Sequence, residues 1–256
     1  MNAQARQHAI VAAVERDGRA AVTDLARAHG VTVETIRRDL AALDRAGALR
    51  KVHGGAVPAP ALAIPETGVV EREASRSAAK GRIAARAVVA LDLPRGATIL
   101  LDAGTTTGAL ARHLPEGLGL TIITDSVLIA AGLAARDDLT VRVLGGLVRG
   151  LTQAAVGPEA LDVLSHLRAD VAVLGTNGLS SQHGLSTPDP DEAAVKRAMT
   201  AAGRRVVVLA DATKIGQEHL VSFADTDDVD LLVTDAPVPA PLSTHLTDTG
   251  TEVLIA

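Results

Sequence analysis

Apolar side chains recur at helical spacing in three successive segments near the start of the chain, which predicts three helices that each bury one face. Gly18 and Gly30 follow the first two segments, and glycine readily adopts the left-handed backbone that ends a helix. A helix, a short turn with glycine and a second helix form the helix-turn-helix plan. The positions that mark the three buried faces are Ala9, Ile10, Ala13 and Val14, then Leu25, Ala26 and Ala28, and then Val33, Ile36, Leu40 and Leu43.

The outward face of the third helix is polar near the helix start, where side chains can reach base edges and phosphates in a DNA major groove. Thr32 is placed to cap this helix, and Arg38 can pair with guanine or with phosphate. Asp39 is expected to pair locally with an arginine. The alternative is a solvated helix face with ordinary surface arginines. The candidate DNA contacts in this region are Thr23, Thr32, Glu34, Thr35, Arg37 and Arg38.

A short basic hairpin follows the third helix. Residues 49–52 and 56–57 have the pattern of two strands, and residues 53–55 form the turn between them. A basic hairpin directly after a recognition helix is typical of a wing, whose cations reach phosphates or the minor groove. We therefore predict DNA contacts from Arg50, Lys51 and His53, while the alternative for His53 is to stabilise the turn.

A proline-containing stretch separates this head from the rest of the chain. Pro58, Pro60 and Pro65 favour an extended connection. The apolar positions that follow predict a helix from about residue 71 to residue 91. We predict a winged helix-turn-helix DNA-binding domain over residues 1–57, a connection over 58–74 and a second domain over 75–256.

Short apolar runs alternate with helical runs through the second domain. This alternation predicts an α/β fold with a mostly parallel, doubly wound sheet that helices cover on both faces. Ligands of such sheets bind at the carboxyl ends of the strands. The predicted strands are 98–102, 120–123, 140–144, 170–174, 205–209, 231–234 and 252–255.

Polar residues follow most of these strands. Residues 102–107 contain one glycine and three consecutive threonines at a helix start, where hydroxyls and free amides can surround a phosphate. The alternative is a helix cap with spare threonines. Lys214 follows the fifth strand and is one of only four lysines, so it is a candidate to supply charge to an anionic ligand. The candidate effector contacts are Asp102, Gly104, Thr105, Thr106, Thr107, Thr124, Asp125, Ser126, Gly145, Gly146, Arg149, Gly175, Asn177, Gly178, Thr187, Glu192, Lys196 and Lys214.

Composition and charge support the division into a DNA-binding domain and a second domain. The 256 residues are 47% hydrophobic, which is ample for a buried core, and the absence of cysteine excludes disulfides and thiolate metal sites. Residues 1–57 carry a net charge of +3 within a chain of net charge −5, so we expect only this end to contact nucleic acid. The alternative is that a charge of this size is ordinary scatter.

Several functional classes lack their signatures. The chain has no glycine-rich nucleotide motif, no HExxH pattern and no GxSxG nucleophile context, so we expect no cofactor, no metal and no hydrolase activity. It has neither the layout of a signal peptide nor an apolar run near the roughly 20 residues that span a bilayer. We therefore expect a cytoplasmic protein that does not interact with a membrane.

The run VTVETIRRDLAALDRAGALRKVHGGAV closely resembles the signature of the DeoR family of bacterial regulators. The motifs LLDAGTTT, VLGGLVRG, AAVGPEAL, HGLSTPDPDEAAVKRAM and LADATKIG resemble the effector domain of that family. The resemblance implies a domain similar in fold to sugar-phosphate isomerases such as ribose-5-phosphate isomerase. It also implies a phosphate at residues 104–107, glycines 175 and 178 beside the ligand, and sugar contacts from Asp102, Asp125, Asn177, Glu192 and Lys214.

Two departures from the family pattern concern the ligand. Asp125 stands where many relatives have asparagine, and a carboxylate there is expected to repel a phosphate and to accept hydrogen bonds from hydroxyls. The segment LGTNG at residues 174–178 resembles the fructose-operon regulators of actinobacteria within the family. This second resemblance points to fructose 1-phosphate as the effector.

The prediction that unites these observations is a DNA-binding regulator, a repressor of a sugar uptake or catabolism operon such as a fructose operon. A phosphorylated sugar would control it, and one small recognition module reads few base pairs, so we expect a homodimer or homotetramer on operator DNA. The alternative is a sugar-phosphate isomerase with a DNA-binding head, in which Asp102, Glu192 and Lys214 supply acid–base chemistry. We predict that the protein is not an enzyme.

Overall fold

The computed structural model describes residues 3–17, 20–45, 48–52, 54–58 and 66–256. The chain divides in sequence between Glu66 and Thr67 into two compact units. No helix in these described ranges is long and apolar enough to cross a membrane.

The N-terminal unit is a winged helix-turn-helix, as predicted. Its small core is aliphatic, and Ile10, Ile36 and Leu40 are fully buried where the three helices meet. Its elements are α1 (Ala3–Asp17), β1 (Ala20–Ala21), α2 (Val22–His29), α3 (Val33–Arg45), β2 (Leu49–Val52) and β3 (Gly55–Pro58).

The wing is a three-stranded sheet rather than the two-stranded hairpin of the prediction. The short strand β1 pairs antiparallel with β3, which in turn pairs with β2. Gly55 begins β3 instead of lying in the turn, and a Cβ atom there would stand 2.3 Å from the carbonyl oxygen of Ala20. Only glycine permits this close approach of two backbones. His53 lies outside the described residues.

Asp39 joins two helices of this unit. Its buried carboxylate accepts hydrogen bonds from Arg6 Nε at 2.6 Å and from Gln7 Nε2 at 3.1 Å, both on α1. Burial alone would raise the pKa of Asp39, but these hydrogen bonds and the nearby positive charges together outweigh it and hold that pKa below its usual value. The prediction of a local arginine partner is therefore wrong, because the partner is 33 residues away in sequence.

The second unit is built on a seven-stranded sheet in which every pairing is parallel, in the order β15-β14-β12-β9-β4-β5-β6. The seven predicted strands are these seven strands, with ends that differ by up to two residues. The strands are β4 (Thr98–Leu101), β5 (Thr121–Thr124), β6 (Thr140–Val143), β7 (Leu147–Val148), β8 (Ala155–Val156), β9 (Ala169–Gly175), β10 (Gly178–Ser180), β11 (Gly184–Thr187), β12 (Gly203–Leu209), β13 (Val221–Ala224), β14 (Leu231–Thr234) and β15 (Glu252–Ile255). The helices are α4 (Val69–Ala74), α5 (Ser77–Leu91), α6 (Thr105–Ala111), α7 (Val127–Leu133), α8 (Pro158–Ser165), α9 (Pro190–Ala202) and α10 (Leu242–Thr249).

Helices cover both faces of this sheet. Along β9, Val171 and Val173 pack with the buried residues of α5 and α6, while Ala172 and Leu174 pack with those of α8 and α9. Because both sets of side chains are buried, the strand reads in sequence as a continuous apolar run. The predicted doubly wound arrangement is confirmed.

One long predicted helix is two helices in the structure. The break between α4 and α5 falls at Ser75 and Arg76, and Arg76 has a left-handed backbone with φ of 52°. Arg76 forms ion pairs there with Asp211 at 3.3 Å and Asp235 at 2.5 Å. Residues 67–74, which the prediction counted with the connection, belong to the second unit.

Two small antiparallel features also went unpredicted. Strands β10, β11 and β13 form a separate sheet, and β7 pairs with β8 as a hairpin. These strands have two to four residues each, which is too short for the alternation of side chains to be recognised in sequence.

Candidate effector cleft and nucleic-acid surface

A cleft of about 180 Å³ opens at the carboxyl ends of β4, β5, β9 and β12. The chain runs outward from β4 through β5 to β6, and then returns to lay β9 against the other side of β4. The cleft therefore lies at the topological switch point of the sheet, which is where open α/β sheets bind ligands. Helices α4 and α5 also contribute side chains to the lining of the cleft.

Asp102 anchors the loops behind this cleft. It is fully buried, and its carboxylate accepts hydrogen bonds from the Thr107 hydroxyl at 2.8 Å, the Gly104 amide at 3.0 Å and the Gly175 amide at 2.7 Å. The Lys196 ammonium also pairs with it. Asp102 and Thr107 do not line the cleft, so the structure gives them a supporting position instead of the expected direct contact with the ligand.

Thr105 and Thr106 do line the cleft, at the first turn of α6. The first amides of a helix have no acceptor within the helix, so this turn presents donors to an anion. Gly104 must stay free of a Cβ atom, because one would lie 2.9 Å from Asp102 Oδ1 and 2.8 Å from the Thr107 hydroxyl.

The cleft is rich in cations. Arg76 is engaged by Asp211 and Asp235, and Lys80 donates to the carbonyl oxygens of Arg72 and Ser75. Burial lowers the pKa of Lys80, and the nearby carboxylate of Asp211 only partly offsets this. The five cationic side chains that line the cleft are Arg72, Arg76, Lys80, Lys196 and Lys214.

Arg72 differs from the other cations. Its Nε and Nη2 atoms are buried, and within the part of the chain that the structure describes they have no hydrogen-bond partner. A buried guanidinium donor without a partner is costly, and a bound anion would remove that cost. Sequence reasoning missed Arg72 because it lies in the segment assigned to the connection; Lys80 stood out in sequence only as one of four lysines.

A second charged cluster borders the cleft at the start of α9. Glu192 lines the cleft and accepts hydrogen bonds from Arg149 and from the Thr152 hydroxyl. Arg149 also pairs with Asp189 at 3.1 Å. Arg149 therefore positions Glu192 from behind and does not itself line the cleft.

Asp125 follows β5 and lines the cleft from a buried position. Burial raises the pKa of Asp125 well above its usual range, and the negative charge of Asp102 acts in the same direction. This environment favours the neutral carboxyl group, contrary to the expectation of a carboxylate that repels phosphate.

Other predicted site residues are in the cleft or close behind it. Gly175 and Asn177 line the cleft together with Thr176, which the prediction did not include. The Thr187 hydroxyl is buried behind them and donates to Asn177 Oδ1 at 3.1 Å. Gly178 stands behind this loop, where a Cβ atom would lie 2.3 Å from the carbonyl oxygen of Gln217.

Four predicted residues do not line the cleft, and two of them form local hydrogen bonds at the start of α7. Ser126 caps α7 by accepting from the Ile129 amide at 3.2 Å, and Thr124 accepts from the Ser126 amide at 3.0 Å. Gly145 and Gly146 are exposed at the start of the β7–β8 hairpin. Polar and glycine residues at strand ends also make caps and turns, and a single sequence does not separate those roles from ligand binding.

The N-terminal unit presents a polar face on α3. The Arg37 and Arg38 side chains are 61% and 82% exposed, and they lie 3.7 Å and 3.9 Å from Glu34. Such exposed pairs are weak and break readily for a phosphate or base. Thr32 caps α3 as predicted, since its hydroxyl oxygen accepts from the Thr35 amide at 3.1 Å.

The remaining predicted DNA contacts are in α2 and the wing. Thr23 is exposed near the start of α2, and Lys51 is exposed on β2. The Lys51 amide donates to Asp44 at 2.9 Å, which ties the wing to the end of α3. The side chain of Arg50, like His53, lies outside the described residues.

Comparison with known protein families identifies both units. The model of the DeoR C terminal sensor domain matches residues 75–236, and that of the DeoR-like helix-turn-helix domain matches residues 6–59. The chain belongs to the DeoR family. The predicted family and the predicted class, a DNA-binding transcription regulator, are thereby confirmed.

Relatives of this DeoR-family protein are similar over nearly their whole length. The HTH-type transcriptional regulator GlpR of Haloferax volcanii is 35% identical over 240 residues, covering 94% of this chain and 92% of the relative. The glycerol-3-phosphate regulon repressor of Escherichia coli K12 is 32% identical over 247 residues, covering 95% of each. The transcriptional regulator FruR of Bacillus subtilis is 32% identical over 231 residues, covering 90% of each.

Solved structures show more distant likenesses. Ribose 5-phosphate isomerase A from Methanocaldococcus jannaschii is 18% identical, with a TM-score of 0.38 over 55% of each chain. The sorbitol operon regulator SorC from Klebsiella pneumoniae is 14% identical, with a TM-score of 0.39 over 78% of this chain and 86% of that one. The relatives that match this DeoR-family chain over its length are named as regulators, which favours the regulator over the isomerase alternative.

Proposed function

We propose that this protein is a repressor of a sugar uptake or catabolism operon, and that a phosphorylated sugar in the cleft controls its binding to operator DNA. Helix α3 and the wing would contact the operator, and a homodimer or homotetramer would match a site with repeated halves. The LGTNG segment at residues 174–178 makes fructose 1-phosphate the first candidate effector.

The observation that carries this proposal is the guanidinium of Arg72. Its Nε and Nη2 atoms are buried without a partner among the described residues, and it lines the same cleft as Thr105, Thr106 and Lys214. A phosphate oxygen is the acceptor that suits a guanidinium, hydroxyls and helix amides together. The neighbouring side chains of Asn177 and Glu192 offer hydrogen-bonding groups to sugar hydroxyls.

The position of Arg72 also suggests how binding is transmitted. Arg72 belongs to α4, the first helix after the connection to the DNA-binding unit. The start of α4 is held to the rest of the second unit by a hydrogen bond from the Val69 amide to the Leu151 carbonyl oxygen at 2.8 Å. Glu73, also on α4, forms an ion pair with Arg112 at 3.2 Å. A phosphate that engages Arg72 would restrain this helix, which directly follows the connection.

The proposal is tested by titrating the protein with fructose 1-phosphate, glycerol 3-phosphate and unphosphorylated fructose in a calorimeter. We expect one of the phosphorylated compounds to bind and fructose to fail. Arg72→Gln should weaken that binding by about ten- to a hundredfold, because it removes charge-assisted hydrogen bonds worth roughly 1.5–3 kcal/mol.

The matched control is Arg86→Gln. Arg86 is exposed on α5 and does not line the cleft, so its substitution should leave affinity unchanged. Equal affinity of the native protein and the Arg72 variant would remove Arg72 from the site. Failure of both phosphorylated compounds to bind the native protein would count against a phosphorylated effector of this type.

A further inference from the structure

Asp125 has a buried carboxyl group with one oxygen atom that lacks a hydrogen-bond partner among the described residues. Its residue is 3% exposed, and it lines the cleft at the end of β5. Among the residues that the structure describes, no group forms a hydrogen bond with its Oδ1 atom. Asp125 is therefore a buried acidic residue in the lining of the cleft, with an unfilled hydrogen-bonding position among the described residues.

The backbone holds Asp125 in place. Its carbonyl oxygen accepts from the Ala155 amide of β8 at 2.7 Å. The next amide, that of Ser126, donates to the Thr124 hydroxyl at 3.0 Å. These two hydrogen bonds hold the backbone of this segment between the end of β5 and β8.

The charged groups around Asp125 do not offset the cost of a negative charge on its buried carboxyl group. Asp102 and Glu192 repel it, and Lys196 attracts it. The Lys196 ammonium, however, is bonded to the Asp102 carboxylate and to the Gly175 carbonyl oxygen at 3.0 Å, so it is already committed. The same cleft is also lined by Arg72, Lys80 and Lys214, from α4, α5 and the loop after β12.

Burial and the two neighbouring carboxylates both raise the pKa of Asp125, and burial has the larger effect. A neutral carboxyl group is a hydrogen-bond donor, whereas a carboxylate can only accept. The difference decides what kind of ligand atom can lie against this position.

We propose that Asp125 is a neutral carboxylic acid in the cleft and donates its proton in a hydrogen bond to an acceptor oxygen of the effector. It would thereby discriminate among effectors, and it would make affinity fall when the group ionises at high pH. The inference rests on the proposed function for the ligand, but the neutral acid itself is a property of the protein alone.

The protein alone provides the first test. Infrared difference spectra between the native protein and Asp125→Asn, recorded without ligand, should contain the carbonyl band of a neutral carboxylic acid at neutral pH. A spectrum that contains only carboxylate bands from this residue would overturn the proposal, whether or not any sugar phosphate binds.

The second test uses fructose 1-phosphate and glycerol 3-phosphate, titrated calorimetrically above about pH 7, where the phosphate charge is constant. Asn keeps a donor that does not titrate, so Asp125→Asn should bind within about threefold of the native protein at the lowest pH. The native affinity should then fall relative to the variant by up to about tenfold per pH unit beyond the pKa of Asp125. Asp125→Leu, which has no donor, should bind at least about tenfold more weakly than Asp125→Asn.

The outcomes distinguish the proposal for Asp125 from the proposed function. Native affinity that rises relative to Asp125→Asn with pH would mean that the carboxylate accepts from the ligand, and the proposal would be wrong. An affinity ratio that stays near one supports the proposal only if the acid band persists over the same pH range, and contradicts it if the band is lost. Binding of neither sugar phosphate, with the acid band present, would count against the proposed phosphorylated effector and the donor role together, and would leave the neutral acid established.

Discussion

Asp102 and Asp125 are both acidic residues that directly follow a strand, yet their surroundings differ. The Asp102 carboxylate is fully bonded by protein groups, including the Lys196 ammonium and the amides of Gly104 and Gly175. The Asp125 carboxyl group keeps one oxygen without a partner among the described residues. Residue type marked both as candidates, but only the tertiary structure separates Asp102, which anchors the loops, from Asp125, which lines the cleft.

Substitution of Arg38 provides a test of the DNA-binding surface. Arg38→Ala should weaken operator binding by about 1–3 kcal/mol, because an arginine on a recognition helix pairs with a base or phosphate. Thermal stability should hardly change, since the Arg38 side chain is 82% exposed and its ion pair with Glu34 is solvated. Fluorescence anisotropy with a labelled operator measures the affinity.

Arg204→Ala is the control for the loss of one positive charge. Its side chain is 75% exposed and belongs to the second unit. Operator affinity should remain at the native value in this variant. An Arg38 variant that binds as tightly as the Arg204 variant would show that Arg38 makes no contact of consequence.

In the β7–β8 hairpin, two adjacent glycines differ in how much their backbone positions require glycine. Gly145 and Gly146 form one motif in sequence, and both were predicted to face the effector. In the structure Gly146 has φ of 120°, and a Cβ atom on it would stand 2.3 Å from the Val156 carbonyl oxygen. A Cβ atom on Gly145 would meet open space. The close approach to β8 is by itself sufficient to require glycine at position 146.

Gly146→Ala should therefore destabilise the second unit by about 1–3 kcal/mol, through backbone strain and the clash with β8. Gly145→Ala should change stability by no more than roughly 0.5 kcal/mol. Urea unfolding of the two variants provides the comparison. Equal stabilities, or the reverse order, would contradict the hairpin geometry.

At the scale of the whole molecule, the effector must bind differently to the DNA-bound and free forms, or it cannot alter DNA binding. If Arg72 carries this signal, Arg72→Gln should keep its affinity for operator DNA without effector. The sugar phosphate should shift native operator affinity by about 5- to 150-fold, the usual range for coupled sites. The same addition should have little effect on the variant.

The measurement is a titration of labelled operator in the presence and absence of the sugar phosphate that calorimetry identifies. Arg86→Gln should respond as the native protein does, because Arg86 does not line the cleft. The sugar phosphate is added at a concentration that occupies the native site but not the weakened site of the Arg72 variant. If operator affinity of the variant still shifts as much as that of the native protein, Arg72 does not transmit the signal.

Periodicity, turn residues and motif spacing were sufficient to predict the winged helix-turn-helix, the seven central strands and the edge of the sheet where the cleft opens. These features depend on local propensity and on which side chains are apolar, and both are properties of the linear sequence. Long-range packing decided the rest, including the Asp39 contact with α1, the break at Arg76 and the contribution of Arg72 to the cleft. Burial, partners and charge depend on residues distant in sequence, so the same carboxyl or guanidinium group acquires its role only when the chain has folded.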